Sequence, residues 1–587
     1  MSSFYDDASL VVIPSGYKTS KVYAEKPTDG SGDLTFTRTG DTATRVNSAG
    51  IIEKVRTNII LQSETFNNAS WSKSDCSITS NTTANPINGA LTADTFTLAA
   101  GTTQKYAAQL LTINGNFTAS VYLKAGTHQF VQFLLGSDSS PIANFDLTNG
   151  TASGTNSTAS IVSAGNGWYR CSMAFTSSTA DGIFILAVDS LAATRFSTTA
   201  STGTFIAFGY QLERNDIATA YIPTTTAAVS VGPVANVPRL DYLGSTCPRL
   251  LLEPQRTNLA LYSEQFDNAG WTGGGATAVA NQAASPDGYT NADLIYPTTS
   301  GTFTGKYQNI AASTTGVVSC YVKQAGKRFA QLGTDNNATF TCAFDLQLGT
   351  IVRTATNYTA TITNVGNGWF RITAAYVSSA AASYPFIGVS DNSAGAVVTD
   401  GTNGLYVYGF QYEASAAYPT SYIPTLAASA TRGADAASKT GISSLIGVNG
   451  GSIFVELDAN GLNSGVANYI FDLSDGTNFD QNRIAMYWTS ANDLNIFYAY
   501  GGTTASVSYT FNFLTTKKVA VRWTSTQIQV VVNGVAQTAV TYGNSSPTKL
   551  DIGSRFNAVE HLSSNAKQCL LFNTTLTAAQ LAELTTL

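Results

Sequence analysis

The 587-residue chain has only two histidines and six cysteines, and charged side chains make up only 12% of its residues. The two histidines, His128 and His561, almost exclude a metal site or a nucleophile–base pair built on imidazole. The six cysteines are scattered and show no Cys-x-x-Cys spacing. This pattern predicts free, mostly buried thiols in a protein assembled in a reducing cytosol.

The chain also has no run of Lys and Arg, and its net charge is −6. Because neutralising phosphates requires a basic stripe, we do not expect a nucleic-acid partner. No apolar segment reaches the roughly 20 residues of a membrane helix, and the start at Met1 lacks the charged and then apolar regions of a signal peptide. We therefore expect no membrane insertion.

What is abundant is Ser, Thr, Asn, Gly and Tyr, arranged as short alternating runs between turns. Phe117–Lys124, Phe130–Leu135 and Phe205–Leu212 have strand length and a period of two or a continuous apolar character. No comparable helical period is present. Many short strands separated by Gly and Asn turns predict an all-β protein made of jelly-roll β-sandwiches.

The strongest signal is an internal repeat with a period near 200 residues. Arg56–Trp71 returns as Arg256–Trp271, and both copies close on a Gly-x-Gln-x-Glu block followed by Tyr-Ile-Pro-Thr. A solenoid repeat is far shorter, so the pattern indicates duplication of a whole domain. We predict module 1 over residues 56–226 and module 2 over residues 256–426.

Four further segments surround the two modules. Residues 1–55 are predicted to be extended, either as a segment that docks to a larger particle or as a cover on module 1. Residues 227–255 contain several leucines, so we expect a linker packed against the module that it leads into. Residues 427–438 are predicted to be a simple connector, and residues 439–587 a third β-sandwich.

Two short motifs in the third sandwich each predict a particular local structure. Asn533-Gly534 follows an apolar run, and this pair is typical of a tight hairpin turn because both residues tolerate positive φ. Thr577 with Gln580 three residues later predicts the N-cap of a short terminal helix.

The repeated blocks, Arg-Thr-Asn, Gly-Asn-Gly-Trp, Gln-x-Glu and Tyr-Ile-Pro-Thr, resemble carbohydrate-binding-module-like jelly rolls repeated in tailed-bacteriophage structural proteins. The third sandwich resembles the concanavalin A-like, laminin-G-type lectin fold, through Val519–Trp523, Val532–Gly534 and the closing Phe572–Thr577. The resemblance implies a virion protein assembled in the host bacterial cytoplasm. It further implies docking to other virion proteins through the N-terminal region and a homotrimer.

From this resemblance the leading hypothesis is an appendage or tail-fibre subunit that presents lectin-like modules to host-surface glycans. A purely architectural capsid, neck or tail protein is the alternative. A polysaccharide depolymerase is a third hypothesis, but hydrolysis needs a suitably spaced carboxylate pair. Glu456 with Asp458 or Asp472 is the nearest such pair in the sequence, and we predict no enzymatic activity.

Aromatic side chains are the natural platforms for a sugar ring. Trp71 and Trp271, and likewise Trp168 and Trp369, occupy matched places in both modules, which favours core positions over ligand contacts. We therefore predict glycan binding in the variable loops, where the two copies differ, or in the unmatched third sandwich, with three candidate residues in the latter: Tyr487, Trp488 and Tyr498.

Glu213 and Glu413 are the only acidic residues matched inside a strand-like apolar run. Each could bind calcium together with Asp94 or Asp293, so a calcium cofactor is left open. A lone carboxylate is a poor calcium site but a good acceptor for backbone amides, so the structural role is favoured. Pairing with the matched arginines Arg170 and Arg371 is a further structural alternative.

Overall fold

Strands dominate the computed structural model, which describes residues 2–136, 141–311, 313–335, 341–382, 384–447, 449–463, 465–543 and 545–586. The predicted all-β fold is confirmed. The chain divides into two compact units, Val55–Gly232 and a second unit made of Met1–Lys54 with Pro233–Leu587. The first unit is module 1, and the second contains module 2 together with the third sandwich.

Module 1 is a sandwich whose two layers share two long antiparallel strands, and one apolar core fills it. The paired strands Arg56–Asn58 and Val229–Val231 bring its entry and exit together. The other strands are Ser72–Ser74, Cys76–Ala84, Leu91–Leu98, Lys105–Ala125, Phe130–Leu135, Ile142–Asp146, Thr151–Thr155, Thr158–Gly165, Trp168–Ala187 and Thr204–Glu213.

Module 2 repeats this architecture with its layers separated into two six-stranded sheets around a core of their own. One sheet contains Thr272–Gly274, Thr304–Tyr307, Phe386–Ser390, Phe329–Gly333, Thr341–Asp345 and Thr350–Arg353. The other contains Ala276–Ala284, Thr290–Pro297, Gly404–Ala414, Ser313–Ala325, Trp369–Ala382 and Tyr358–Gly366. Three two-stranded pairs border them: Arg256–Asn258 with Ala430–Arg432, Gly301–Thr302 with Ala396–Val397, and Thr44–Val46 with Ile52–Lys54.

The third sandwich, called here the terminal sandwich, consists of two nine-stranded sheets that enclose the largest apolar cluster of the described chain. The first sheet contains Leu10–Val12, Leu240–Asp241, Arg249–Leu252, Gly450–Gly461, Lys518–Thr524, Gln527–Val532, Val535–Ala536, Val540–Thr541 and Ser563–Phe572. The second contains Tyr17–Lys18, Lys21–Val22, Leu34–Thr37, Ala436–Thr440, Lys549–Ile552, Asn468–Ser474, Arg483–Ser490, Asp493–Tyr500 and Thr503–Thr510.

The N-terminal segment is part of the terminal sandwich and is not the separate extended segment that the sequence predicts, while its docking to a larger particle stays a prediction. Leu10–Val12 pairs antiparallel with Ser563–Phe572, and Leu34–Thr37 pairs with Ala436–Thr440. Leu34 and Phe36 are fully buried in the shared core. The segment is too short to bury apolar side chains alone, so it uses the core of a distant part of the chain.

The predicted linker and connector are also built into the terminal sandwich. In the linker, Leu250 and Leu252 lie in its core, and their strand pairs with Ser563–Phe572. The linker contacts module 2 as expected, because the Ser421 amide donates to Glu253 at 2.7 Å. The connector contributes one strand beside Arg256–Asn258 and another to the second nine-stranded sheet, so it is not a simple spacer.

Three helices are described: Ser2–Asp7, Ser443–Ile446 and Ala578–Thr586. The first and last share an apolar cluster on the outside of the first nine-stranded sheet. The predicted cap is confirmed, because the Gln580 amide donates to Thr577 Oγ1 at 3.2 Å and the Thr577 amide donates to Gln580 Oε1 at 2.9 Å. The predicted hairpin at Asn533-Gly534 is confirmed as well. No helix in the described ranges is both long and apolar enough to cross a membrane.

The predicted state of the cysteines also agrees with the structure. All six are free thiols, and Cys171, Cys320, Cys342 and Cys569 are buried. Burial raises the pKa of Cys569 to about 12, which leaves its thiol protonated at neutral pH.

A buried group of five charged side chains joins the segments of the larger unit; we call it the central ionic cluster, and its members are Arg38, Arg239, Glu253, Arg432 and Asp435. Glu253 Oε2 lies 2.8 Å from Arg239 Nη1 and 3.0 Å from Arg432 Nη1. Asp435 binds Arg239, and its Oδ1 lies 3.3 Å from Arg38 Nη1. The cluster connects the N-terminal segment, the linker and the connector, and Ser421 adds module 2 to it.

We predict that Phe36→Ala destabilises the larger unit by about 3–5 kcal/mol, because it removes a fully buried ring from the shared core. Calorimetry of the full chain should show the transition of this unit shifted down and that of module 1 unchanged. Thr37→Ala, on the exposed neighbouring position of the same strand, is the matched control. An unshifted transition would show that the N-terminal segment folds apart from the sandwich.

We predict that the larger unit loses stability in acid through Glu253. Burial alone would raise the pKa of Glu253, but Arg432 and Arg239 outweigh it and lower that pKa from 4.5 to about 2. Because the folded-state pKa is depressed, the stability from this carboxylate is fully present above about pH 4.5 and is lost as pH falls toward about 2. Glu253→Gln should remove this pH dependence and cost about 3–5 kcal/mol at neutral pH, since it leaves buried guanidinium groups unneutralised.

The pH dependence is measured by urea denaturation between pH 2 and 7, as the difference between the variant and the wild type. Glu53→Gln is the control, because Glu53 pairs with Arg45 at 2.8 Å but is 27% exposed. Its cost should be about 1 kcal/mol or less. A wild-type and Glu253→Gln difference that does not change with pH would contradict the assignment.

Candidate functional site

In each module, side chains of the repeated signatures form a hydrogen-bonded network that joins the entry of the module to its exit. We call this network of Asn, Gln and Glu side chains the lock. Asn258 Nδ2 donates to the carbonyls of Phe410 and Ile423 at 3.0 and 2.9 Å, and its Oδ1 accepts from the Tyr412 amide. Asn58 makes the same three kinds of contact in module 1. The asparagine of Arg-Thr-Asn therefore fastens the edge of the sandwich in both modules.

The two Gln-x-Glu carboxylates belong to the same lock. Glu413 accepts from the amide and the hydroxyl of Thr420, both at 3.0 Å, and Glu213 accepts from the amide and hydroxyl of Thr219 at 2.8 and 2.5 Å. Burial raises the pKa of Glu413. The predicted structural role of both residues is confirmed.

The proposed calcium partners are likewise used by the fold. Asp94 accepts from the amides of Phe66 and Asn81, and Asp293 makes the matching contacts in module 2. Arg371 donates to the Thr420 carbonyl at 2.6 Å, and the arginine that pairs with Glu413 is Arg256, with Nε 3.6 Å from Oε2, so the alternative pairing with Arg371 is not formed. Within the described ranges, no group of three or more His, Cys, Asp or Glu side chains could hold a metal ion.

The four matched tryptophans are core residues, as predicted. Trp71 and Trp271 are 1% and 4% exposed, and each donates its indole N–H to a backbone carbonyl at 3.1 Å. Trp168 and Trp369 are both 2% exposed. None of the four offers a free ring face.

In the terminal sandwich the structure corrects the prediction for two of the three aromatic candidates. Trp488 and Tyr498 are buried in the core, so neither can stack on a sugar. Tyr487 is half-buried on the opposite face of its strand, with its ring centroid 5.0 Å from that of Tyr469. Neighbouring residues of a strand point to opposite faces, so Tyr487 and Trp488 could not both be exposed. The role of Tyr487 stays a prediction.

An aromatic sheet face in module 1 is the strongest candidate site, and residue matching alone did not identify it. Strand register places Val162, Arg170, Tyr122 and Phe208 side by side on four neighbouring strands. The Tyr221 ring packs 5.7 Å from that of Phe208, and the Tyr122 ring lies 6.3 Å from it on the other side. We call these five side chains the module 1 face.

The two tyrosines of this face keep access to solvent. Tyr122 and Tyr221 are half-buried above the buried Phe208, and Val162 is 61% exposed. Polar groups stand at opposite ends of the face. The Arg170 guanidinium lies 5.4 Å from the centre of the Tyr122 ring, and Glu64 accepts from the Tyr221 hydroxyl at 3.2 Å. Two ring faces flanked by a cation and a carboxylate suit a sugar, which has apolar C–H faces and polar edges.

Module 2 contains the same row, Thr363, Arg371, Tyr321 and Tyr408, with Tyr422 beside it. Here the face is covered by the hairpin formed by Thr44–Val46 and Ile52–Lys54, and Ile52 joins the cluster of these tyrosines. Tyr321 is 6% exposed and Tyr422 is 1% exposed as a result. A pocket of about 130 Å³ remains between the hairpin and the sheet, bordered by Thr361, Thr363 and Arg371.

Comparisons with known proteins add a likeness of fold only. No family model matches the chain, and no curated protein matches it. A CBM40 module of the Ruminococcus gnavus IT-sialidase, solved with α2,3-sialyllactose, is 13% identical with a TM-score of 0.22 and covers 25% of this chain and 91% of that one. The NanB sialidase from Streptococcus pneumoniae is 16% identical with a TM-score of 0.22, covering 26% of each chain. The SAP-like pentraxin from Limulus polyphemus is 15% identical with a TM-score of 0.19, covering 24% of this chain and 70% of that one.

These matches are to β-sandwich proteins and extend over about a quarter of the chain. At such identities and scores, they say nothing about what this protein binds.

The difference between the two faces predicts different responses to truncation. Tyr321→Ala should destabilise the larger unit by about 3 kcal/mol, because its buried ring carries part of the packing under the hairpin. Tyr122→Ala should cost module 1 about 1 kcal/mol, since that ring is half-buried. Both are measured by calorimetry of the full chain. Equal losses in the two variants would show that the module 1 face is covered as well.

Proposed function

We propose that this protein is a glycan-binding appendage or tail-fibre subunit of a bacteriophage virion and that its ligand binds on the module 1 face. The observation that carries the proposal is the contrast between the copies. Tyr122 and Tyr221 are accessible in module 1, whereas the matched Tyr321 and Tyr422 are buried under the chain's own hairpin. A half-exposed pair of rings with flanking charged groups is a typical platform for a sugar.

The proposed role is binding without catalysis. Asp472, one member of the nearest carboxylate pair, is buried and held by Arg483 at 2.7 Å. Asp458 lies 3.2 Å from both Lys567 and Lys517. Burial alone would raise the pKa of Asp458, but Lys517 and Lys567 outweigh it and lower that pKa. Asp472 is fully buried, so neither presents a protonated carboxyl group to a scissile bond, as hydrolysis requires.

A second candidate role, an architectural one, is favoured for module 2. Its aromatic face is filled by the hairpin, and the central ionic cluster joins it to the terminal sandwich. The N-terminal region, as an integral part of that sandwich, would contact other virion proteins through its exposed side. A trimer within a virion remains part of the same proposal.

We expect Tyr122→Ala and Tyr221→Ala each to weaken binding to host-surface glycans about tenfold, since an aromatic anchor typically contributes 1–2 kcal/mol. The measurement is a glycan array with the full-length protein, followed by calorimetry on the best ligand. Tyr23→Ala, at a 38% exposed tyrosine of the other unit, is the control and should bind normally.

Two outcomes would contradict this assignment. Normal binding by both module 1 variants would remove the site from this face. Loss of binding in Tyr487→Ala alone would place it on the terminal sandwich instead.

A further inference from the structure

The covered face of module 2 contains a complete site for an ammonium group. Lys54, at the end of the hairpin, places Nζ 2.5 Å from Glu264 Oε2 and 3.1 Å from Asp287 Oδ2. The same Nζ lies 5.6 Å from the centre of the Tyr408 ring. Two carboxylates and an aromatic ring are the groups that stabilise a partly desolvated cation. Module 2 thus shows which chemistry this part of the face accepts.

Module 1 keeps the central part of this arrangement. Glu64 is the counterpart of Glu264, and it accepts from Tyr221 at 3.2 Å as Glu264 accepts from Tyr422 at 3.0 Å. The hydroxyl of Tyr221 also lies 2.6 Å from Ser63 Oγ, which fixes the ring and the carboxylate relative to each other. Phe208 stands in place of Tyr408 and still supplies an aromatic ring.

The second carboxylate is not retained. The turn that carries Asp287 in module 2 reads Asn85-Pro-Ile-Asn-Gly89 in module 1, and Asn88 there is exposed. One carboxylate beside two rings attracts an ammonium less strongly than two do, so we expect a moderate preference for a cation. Arg170 lies at the other end of the face, across Tyr122. The charged ends therefore orient a ligand with its cationic group toward Glu64.

We propose that the module 1 face recognises a glycan with a free amino group, such as an N-deacetylated hexosamine, and that its ammonium binds Glu64 where the Lys54 ammonium binds in module 2. This inference rests on the proposed glycan-binding function. The sugar ring would lie on Tyr122 and Tyr221, and Glu64 would distinguish the amine from the N-acetylated form. Lys54 already satisfies the matching site in module 2, so we expect one such site per chain.

The test compares two probes of equal length, a glucosamine hexamer and an N-acetylglucosamine hexamer, by calorimetry with the full-length protein at pH 6. We expect the wild type to bind the glucosamine hexamer about fivefold more tightly, which is the effect of one accessible ion pair. Glu64→Gln should abolish this preference, so that the variant binds the two hexamers with equal affinity. Tyr122→Ala should weaken both, and Glu25→Gln, at an exposed carboxylate of the other unit, should change neither.

The dependence of the amine preference on ionic strength is a second measurement, and unfolding of a variant would not produce the same result. The preference for the amine should decrease as ionic strength rises, because the ion pair is screened. Thermal unfolding of module 1 should be the same in Glu64→Gln and the wild type.

The outcomes separate this inference from the proposed function. Equal affinity of the wild type for both hexamers, or a preference retained in Glu64→Gln, would overturn the amine inference. Two further results would overturn it. In the first, neither hexamer binds although other glycans of the array bind and are weakened by Tyr122→Ala. In the second, neither hexamer binds, but a peptide of residues 43–55, which contain the hairpin that covers module 2, binds tightly to the module 1 face. The proposed function itself would be overturned if no glycan bound, or if Tyr122→Ala and Tyr221→Ala both bound glycans normally.

Discussion

The central ionic cluster is the constraint on which the larger unit depends. Its three guanidinium groups and two carboxylates are buried, and a buried charge without its partner is strongly unfavourable. The partners come from positions as far apart in sequence as Arg38 and Asp435. An arrangement that separated the N-terminal segment, linker, module 2 and connector would therefore leave buried charges without partners. Apolar burial alone would be less selective, since it has no direction.

The two copies of the jelly roll show how one surface can serve two purposes. In both, the same lock of Asn, Gln and Glu side chains holds the entry and exit strands together. The aromatic row above the lock is filled by the chain's own hairpin in module 2 and is accessible in module 1. The contacts in module 2 therefore serve as a reference for the ligand that we propose for module 1.

Sequence patterns predicted the local structure well, including the duplicated modules, the Thr577 cap, the Asn533-Gly534 turn and the buried tryptophans. They did not predict which strands pair, because alternation identifies a strand and its faces but not a partner hundreds of residues away. For that reason the strands that residues 1–55 and 227–255 add to the terminal sandwich were not predicted. Alternation would have identified Tyr122 as an outward-facing residue between Val121 and Leu123. The sequence repeat also extends to the residues just before Arg56 and Arg256, where Glu53 and Glu253 match. This match is the sequence signal that could have pointed to Glu253 and so to the central ionic cluster.

The connectivity of the larger unit sets an order for folding during synthesis. Module 1 lies between Lys54 and Pro233, with its ends paired to each other, so it can fold as soon as its last strand leaves the ribosome. Leu10–Val12 and Leu34–Thr37 are made before module 1, yet each has a partner far along the chain, at residues 563–572 and 436–440 respectively. The edges that these two strands present to their distant partners stay open until those partners have been synthesised, and they must be kept from associating with other chains in the meantime.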